Sequence, residues 1–343
     1  MMSPDLWSLY ALMLKARLFE EATAKLWHEG LISGEMHLGT GEEAIIAGVV
    51  SHLRDGDAMA LDHRATAALL MRGIEPVPLL LEFLGHKKGL CGGMGGHMHL
   101  FSKDYLAVSS GIVGSAGPAA AGFALAAQYL RPQAIAVAFF GDGAMNQGML
   151  MESMNLAAVW KLPVLFVCKD DGWGITTRKE ISTGGNLDDR ARGLGVPAFG
   201  VDGVDVSQVW ETARSAIDRI RSGEGPAFLH ARCVHLEGHF LGLQTIRIVR
   251  DPLKEMPKVA AGLTKSILKL DGAAVSERLT GLKNVMSSVI STLRDPRRDR
   301  ANDPLLHTRV VLQPDESRLK ELEGQMEKEI NDVLETALGE VPS

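Results

Sequence analysis

Residues 134–177, AIAVAFFGDGAMNQGMLMESMNLAAVWKLPVLFVCKDDGWGITT, narrow the choice of fold more than any other stretch of the chain. Residues 134–140 form a continuous apolar run, the pattern of a strand buried on both faces. Gly141-Asp142-Gly143 breaks it. Residues 146–161 then place Met149, Ser153, Leu156 and Trp160 along one helical face. Residues 162–167 are a second apolar strand, closed by Lys169-Asp170-Asp171-Gly172. Two apolar strands joined by a helix make a βαβ unit with parallel strands. Both turns then lie at the carboxyl edge of one sheet, where ligands bind, so Asp142 and Asp171 face a single site.

That placement suggests a chemistry. Two carboxylates and a backbone carbonyl at a sheet edge can hold a hard cation such as Mg²⁺, which takes oxygen ligands and often draws some from a phosphate. A helix starting near Ala144 would aim free N–H groups at a diphosphate in the same place. The small residues Gly141, Gly143 and Ala144 would let the ligand approach the backbone. The plainer alternative is a Gly-Asp-Gly turn followed by an Asp-Gly turn, both ordinary at strand ends.

Length and charge bound the rest. A chain of 343 residues has room for one large α/β domain or two small ones. A net charge of −6 argues against a nucleic-acid or membrane-surface partner. Cys91, Cys168 and Cys233 are far apart and lack paired spacing, which fits a reducing, cytoplasmic setting rather than a disulfide framework or zinc ribbon. No signal peptide and no apolar run of transmembrane length is expected.

Along the chain, Ser3-Pro4 reads as an N-cap with proline at the first helical position, and the helix runs to about Glu29, stopped by Gly30. Thr40 is expected to cap a helix over 41–53, with Glu43 as the acidic residue three positions on. Residues 57–61 read as a short strand, followed by His63-Arg64. Arg64 suits either a diphosphate or carboxylate contact or a plain surface helix start. The glycine-rich run 85–100 lacks a phosphate-loop lysine. His97-x-His99 would share one side of a strand and offer two metal ligands, with no evident third. Residues 117–129 are a helix of small residues. Strands over 198–201 and 227–233 flank an amphipathic helix over 207–221. The alternation supports a doubly wound parallel sheet. His239 is either an acid–base group or an ordinary loop histidine. Val275, Leu279, Leu282, Met286, Val289 and Leu293 fall at helical spacing, and a last helix over 315–338 buries Leu319, Leu322, Met326, Ile330 and Val333.

GDGAMNQG, ESMNLAAVWKLPVLFV and DDGWGITT together resemble the alpha subunit of the thiamine diphosphate-dependent first component of 2-oxo acid and acetoin dehydrogenase complexes, over about residues 10–245 and again in the C-terminal helix. The resemblance implies the thiamine diphosphate-binding α/β fold over 1–250, a helical insert over 251–300 and a C-terminal helical segment over 301–343. It implies Mg²⁺ held by Asp142, Asp171 and the Trp173 carbonyl, and a diphosphate beside Gly141, Gly143 and Ala144. Backbone groups of Gly111 and Val113 would hold the cofactor's ring, while His63, Arg64 and His239 would attend the reaction. A beta subunit, in a two-alpha two-beta assembly, would supply the activating glutamate, and a lipoyl-bearing acyltransferase would accept the acyl unit. The chain departs from the pattern in several places. Paired asparagines are Asp170-Asp171, and a histidine is Thr66. A polar loop after His239 is Phe240-Leu241-Gly242-Leu243, and about fifty residues are extra before Asn302-Asp303-Pro304-Leu305. These departures keep two alternatives open: a thiamine enzyme of lyase or acyl-transfer type without a lipoyl partner, and a non-catalytic scaffold subunit.

Overall fold

The computed structural model describes residues 3–175, 177–239, 274–277, 279–281, 283, 284, 287 and 300–341. In chain order the strands are β1 (Ala58–Leu61), β2 (Phe101–Ser102), β3 (Ala107–Ser109), β4 (Ala136–Gly141), β5 (Val164–Asp170), the hairpin pair β6 (Trp173–Gly174) and β7 (Thr177–Arg178), β8 (Ala198–Asp202) and β9 (Ala227–Arg232). Seven of them form one sheet in the order β2-β3-β1-β4-β5-β9-β8, parallel except for the β2–β3 edge. The register runs from Ala136 opposite Val164 to Gly141 opposite Lys169. The two acidic turns therefore leave the sheet side by side, as the apolar runs predict.

Alternate residues of the central strands face different cores, as a doubly wound sheet requires. Val137, Phe139, Leu165, Val167 and Leu229 pack with α1 (Leu6–Glu29), α2 (Glu43–Val50), α3 (Thr66–Arg72) and α4 (Pro76–Phe83). Ala138, Phe140, Phe166 and Phe228 face α5 (Ala116–Leu130) and α6 (Gly148–Trp160) on the other side. Each fully buried Phe or Leu contributes about 2 kcal/mol. The chain continues through α7 (Lys179–Ser182), α8 (Leu187–Gly193) and α9 (Val206–Arg221), and α9 joins the first core. The C-terminal helices Pro304–Leu312 and Glu316–Glu340 also bury Leu305, Leu319, Met326, Ile330 and Val333 in that core. Arg17 ties this segment to α1: its guanidinium donates twice to Asp303 at 3.1 Å and once to Glu43 at 2.6 Å.

Several local expectations need correction. Asp5, not Ser3, caps α1, accepting from Trp7 and Ser8. Thr40 caps nothing; α2 begins at Glu43, whose carboxylate takes the Gly41 N–H at 2.8 Å. Gly41 sits at φ +103°, and a Cβ there would meet the Val234 carbonyl at 1.9 Å. The core face of α6 is Leu150, Ser153, Met154 and Ala157, whereas Met149 and Trp160 are exposed. Apolar residues also extend onto the outer face, where they stand with exposed Glu152 and Asn155, so the predicted stripe mixed the two faces. Residues 85–100 form turns, not a strand. Their amides turn inward on buried Glu82, which accepts from Cys91, Gly93 and Gly95 at 2.6–2.8 Å. A Cβ on Gly89 would come within 2.5 Å of the Glu82 carboxylate. The glycines therefore serve a carboxylate in the chain, not a phosphate. Of the predicted stripe in the insert, Val275 and Leu279 are helical and exposed, while Leu282, Met286, Val289 and Leu293 lie outside the described residues, as does the loop at 240–243.

Candidate functional site

At the carboxyl edge of β4 and β5 a cavity of about 680 Å³ opens. Every site residue predicted from the sequence borders it: Gly111, Val113, Gly141, Asp142, Gly143, Ala144, Asp171, Trp173, His63, Arg64 and His239. Sheet topology explains this, because β1, β4, β5 and β9 all end there and β3 passes alongside. Space opens above the β4 turn, where a Cβ on Gly143 would touch nothing within 4 Å. One expectation shifts. Residues Asp142–Asn146 form a 3₁₀ turn and α6 starts at Gly148, so the helix does not begin at Ala144. Glycines at 143 and 148 weaken α-helix there.

Asp142 is 2% exposed and its Oδ1 has no hydrogen-bond partner. Burial, then the neighbouring Asp171 and Asp170, push its carboxyl far above the usual range. Asp171 moves the other way. Against its burial, His235 holds it well below that range, with His235 Nδ1 only 2.7 Å from Asp171 Oδ2, off the hydrogen-bonding direction. Two facing acids, one driven to hold a proton and one to lose it, make a site where a divalent cation can replace the proton. A buried, partnerless carboxylate oxygen is unfavourable unless something occupies it, and hard oxygen donors suit Mg²⁺. The residues present therefore fit a Mg²⁺–diphosphate group. Asp170 takes no part: its carboxylate faces Lys179 and His230 Nε2, the latter at 2.7 Å.

Sequence reasoning missed the layer behind Asp171. His235 Nε2 lies 2.7 Å from Glu42 Oε1, and Glu42 Oε2 accepts from Lys169 Nζ at 2.6 Å. Lys169 also reaches Asp62 at 3.1 Å. Lys169 and Glu42 are each about 1% exposed. Burial opposes both charges, but Lys169 holds Glu42 down at about 2, and Asp62 and then Glu42 keep Lys169 raised. His235 is raised, against burial and Arg64, by Asp171 and Glu42. The usable signal was position: His235 follows the end of β9 at the same sheet edge.

Arg64 is 3% exposed, and its guanidinium is already committed. It donates to the backbone carbonyls of Leu38 and His239 and lies 3.9 Å from Glu42. Around it stand His37, His63 and His239. Burial, with Arg64 next, lowers His37 and His239 well below the ordinary imidazole value; burial chiefly lowers His63 to about 4. All three are neutral at pH 7. His97 and His99 do not pair: His97 Nε2 sits 3.2 Å from His37 Nδ1, while His99 lies on the cavity wall near Gly111. No helix among the described residues is long and apolar enough to cross a membrane.

The family model described as "Dehydrogenase E1 component" matches residues 10–279. The alpha subunit of acetoin:2,6-dichlorophenolindophenol oxidoreductase from Cupriavidus necator is 40% identical over 274 residues, 79% of this chain and 80% of its own. The Bacillus subtilis subunit of the same name is 40% identical over 239 residues, covering 69% and 72%. The pyruvate dehydrogenase E1 component subunit alpha of Zymomonas mobilis is 35% identical over 283 residues, covering 78% and 80%.

Proposed function

We propose, for a chain that belongs to the dehydrogenase E1 component family, that it is the alpha subunit of a thiamine diphosphate-dependent dehydrogenase and that Asp142 and Asp171 anchor its cofactor through Mg²⁺. The observation that carries this is the buried, partnerless Asp142 oxygen beside Asp171 on the cavity floor. The Trp173 carbonyl would add a third oxygen, Gly141, Gly143 and Ala144 would leave the backbone open to the diphosphate, and Gly111 and Val113 would hold the ring. Bound there, thiamine diphosphate supplies an electron sink for cleaving a carbon–carbon bond next to a carbonyl.

The chain's own residues position and protonate. His235, between Glu42 and Asp171, keeps Asp171 ionised for the cation. Arg64 holds the His239 backbone in place. Neutral imidazoles at His63 and His239 can take a proton from, or pass one to, the substrate oxygen. With Arg64 committed and these imidazoles uncharged, no lining residue described offers a spare cation to a substrate carboxylate. The wall instead carries Glu35, Glu42, Asp62, Asp142 and Asp171. A neutral hydroxyketone of the acetoin kind suits it better than a 2-oxo acid such as pyruvate.

A beta subunit completes the active site and assembles with this chain. Supporting this, α5 and α6 leave an apolar outer face uncovered, with Tyr129 81% and Trp160 49% exposed. A lipoyl-bearing acyltransferase is the natural acceptor of the acyl unit. The test is dye reduction by the chain co-purified with a cognate beta subunit, thiamine diphosphate and Mg²⁺. Turnover should be faster with acetoin than with pyruvate. Faster turnover with pyruvate overturns the substrate class, and none with either overturns the enzymatic reading.

A further inference from the structure

The same cavity carries a second donor set of different chemical hardness. His37, His63 and His239 come from three separate segments, and each offers a ring nitrogen within 4.8 Å of the other two. Their rings crowd together: His37 and His63 have centroids 4.5 Å apart at 71°, His37 and His239 6.1 Å apart at 82°, and His63 and His239 6.4 Å apart at 42°. His63 Nε2 is buried and has no hydrogen-bond partner. The His37 ring is braced by His97 at 3.2 Å, and at His239 Arg64 fixes the backbone by donating to its carbonyl. Bracing of this kind fixes ligand orientation in metal sites.

We propose that His37, His63 and His239 form a binding site for a late transition-metal ion such as Zn²⁺, separate from the Asp142–Asp171 pair. Imidazole nitrogens suit Zn²⁺ and bind Mg²⁺ poorly, whereas paired carboxylates accept hard cations such as Mg²⁺. A tetrahedral Zn²⁺ with bonds of about 2.0 Å needs nitrogens about 3.3 Å apart, so the ring nitrogens, now within 4.8 Å of one another, must close on the ion. Three protein nitrogens leave the fourth position for water. His239 also belongs to a second cluster, with Asp171 and His235. Zinc on the triad therefore competes with the Asp171 side for His239 and occupies the same cavity as the cofactor. Zinc and the loaded cofactor exclude each other.

The test uses the full chain, with whatever subunit it brings through purification, stripped of cofactor. Zn²⁺ alone is titrated by calorimetry, and Co²⁺ is added as an optical probe. The expected result is one equivalent per chain and the intense visible bands of tetrahedral Co²⁺. His63→Phe should weaken Zn²⁺ binding by more than about tenfold. Thiamine diphosphate with Mg²⁺ should release the zinc. Absence of tight binding, weak octahedral-type Co²⁺ bands, or binding untouched by His63→Phe overturns the site. Zinc that stays bound while the cofactor loads overturns its placement. The Co²⁺ spectrum is read on the unaltered protein, so a misfolded variant cannot decide the question.

Discussion

Replacing Asp142 with asparagine should make the cofactor-free protein more stable while destroying its ability to load. Burial and Asp171 push the Asp142 carboxyl up to about 8 from an ordinary 3.8. Above pH 3.8 the unfolded chain ionises this group and the folded chain does not, so stability falls as pH rises, until the folded carboxyl itself ionises near 8. Each pH step costs about 1.4 kcal/mol, which puts the ceiling at about 4 kcal/mol near pH 7. Because Asp171 shares the strain, we take about half, ~2 kcal/mol, as relieved by Asp142→Asn. At 2–4 °C per kcal/mol for large domains, with the low end applying here, the melting point should rise by about 4 °C. The assay is thermal unfolding of both proteins across pH, with and without thiamine diphosphate and Mg²⁺. Without cofactor, the advantage of the variant should be absent near pH 4 and grow to about pH 8. With cofactor near 100 times its Kd, the parent should gain about 2.7 kcal/mol and the variant nothing. A variant less stable than the parent in cofactor-free buffer at pH 8, or an advantage flat with pH, would refute the reasoning.

Other consequences follow from buried charge. Arg17→Met leaves Glu43, fully buried, without its guanidinium, and should cost about 3–5 kcal/mol in urea unfolding; a loss under 1 kcal/mol would show that the pair holds nothing together. Lys169→Met should cost a similar amount, and adding Glu42→Gln should recover part of it because the orphaned acid is removed; a strictly additive double mutant would deny the coupling. His230 bridges Asp170 and Asp188, which raise it against its burial. That clamp is complete below pH 6.5 and is lost as pH rises through the raised value. Amide exchange over residues 177–190, corrected for intrinsic rate, should therefore accelerate in that window, and a flat profile would contradict the clamp.

The fold was legible because continuous apolar strands such as 134–140 admit few arrangements, and parallel pairing forces their turns to one edge. The same logic located Asp142 and Asp171, since strand direction alone brings them together. What escaped was anything set by side-chain reach across the sheet edge. Glu42, His235 and Lys169 lie far apart in the chain and form one relay only after β5 and β9 stand side by side. Arg64 shows the converse: its charge suggested a ligand contact, yet the fold spends its donors on carbonyls of Leu38 and His239. The glycine-rich run lacked a phosphate-loop lysine, but sequence cannot tell that its free amides meet the Glu82 carboxylate. On α6 apolar Met149, Val159 and Trp160 share the outer face with Glu152 and Asn155, so apolar spacing alone did not separate it from the core face.

On the proposed reading, Asp142 and Asp171 clasp one divalent ion that tethers a diphosphate. Anomalous diffraction from crystals of the complex grown with thiamine diphosphate and Mn²⁺ tests it most directly. The prediction is a single Mn²⁺ peak between those two carboxylates, bonded also to the diphosphate. A diphosphate bound with no ion between them, or an ion ligated elsewhere, would contradict it.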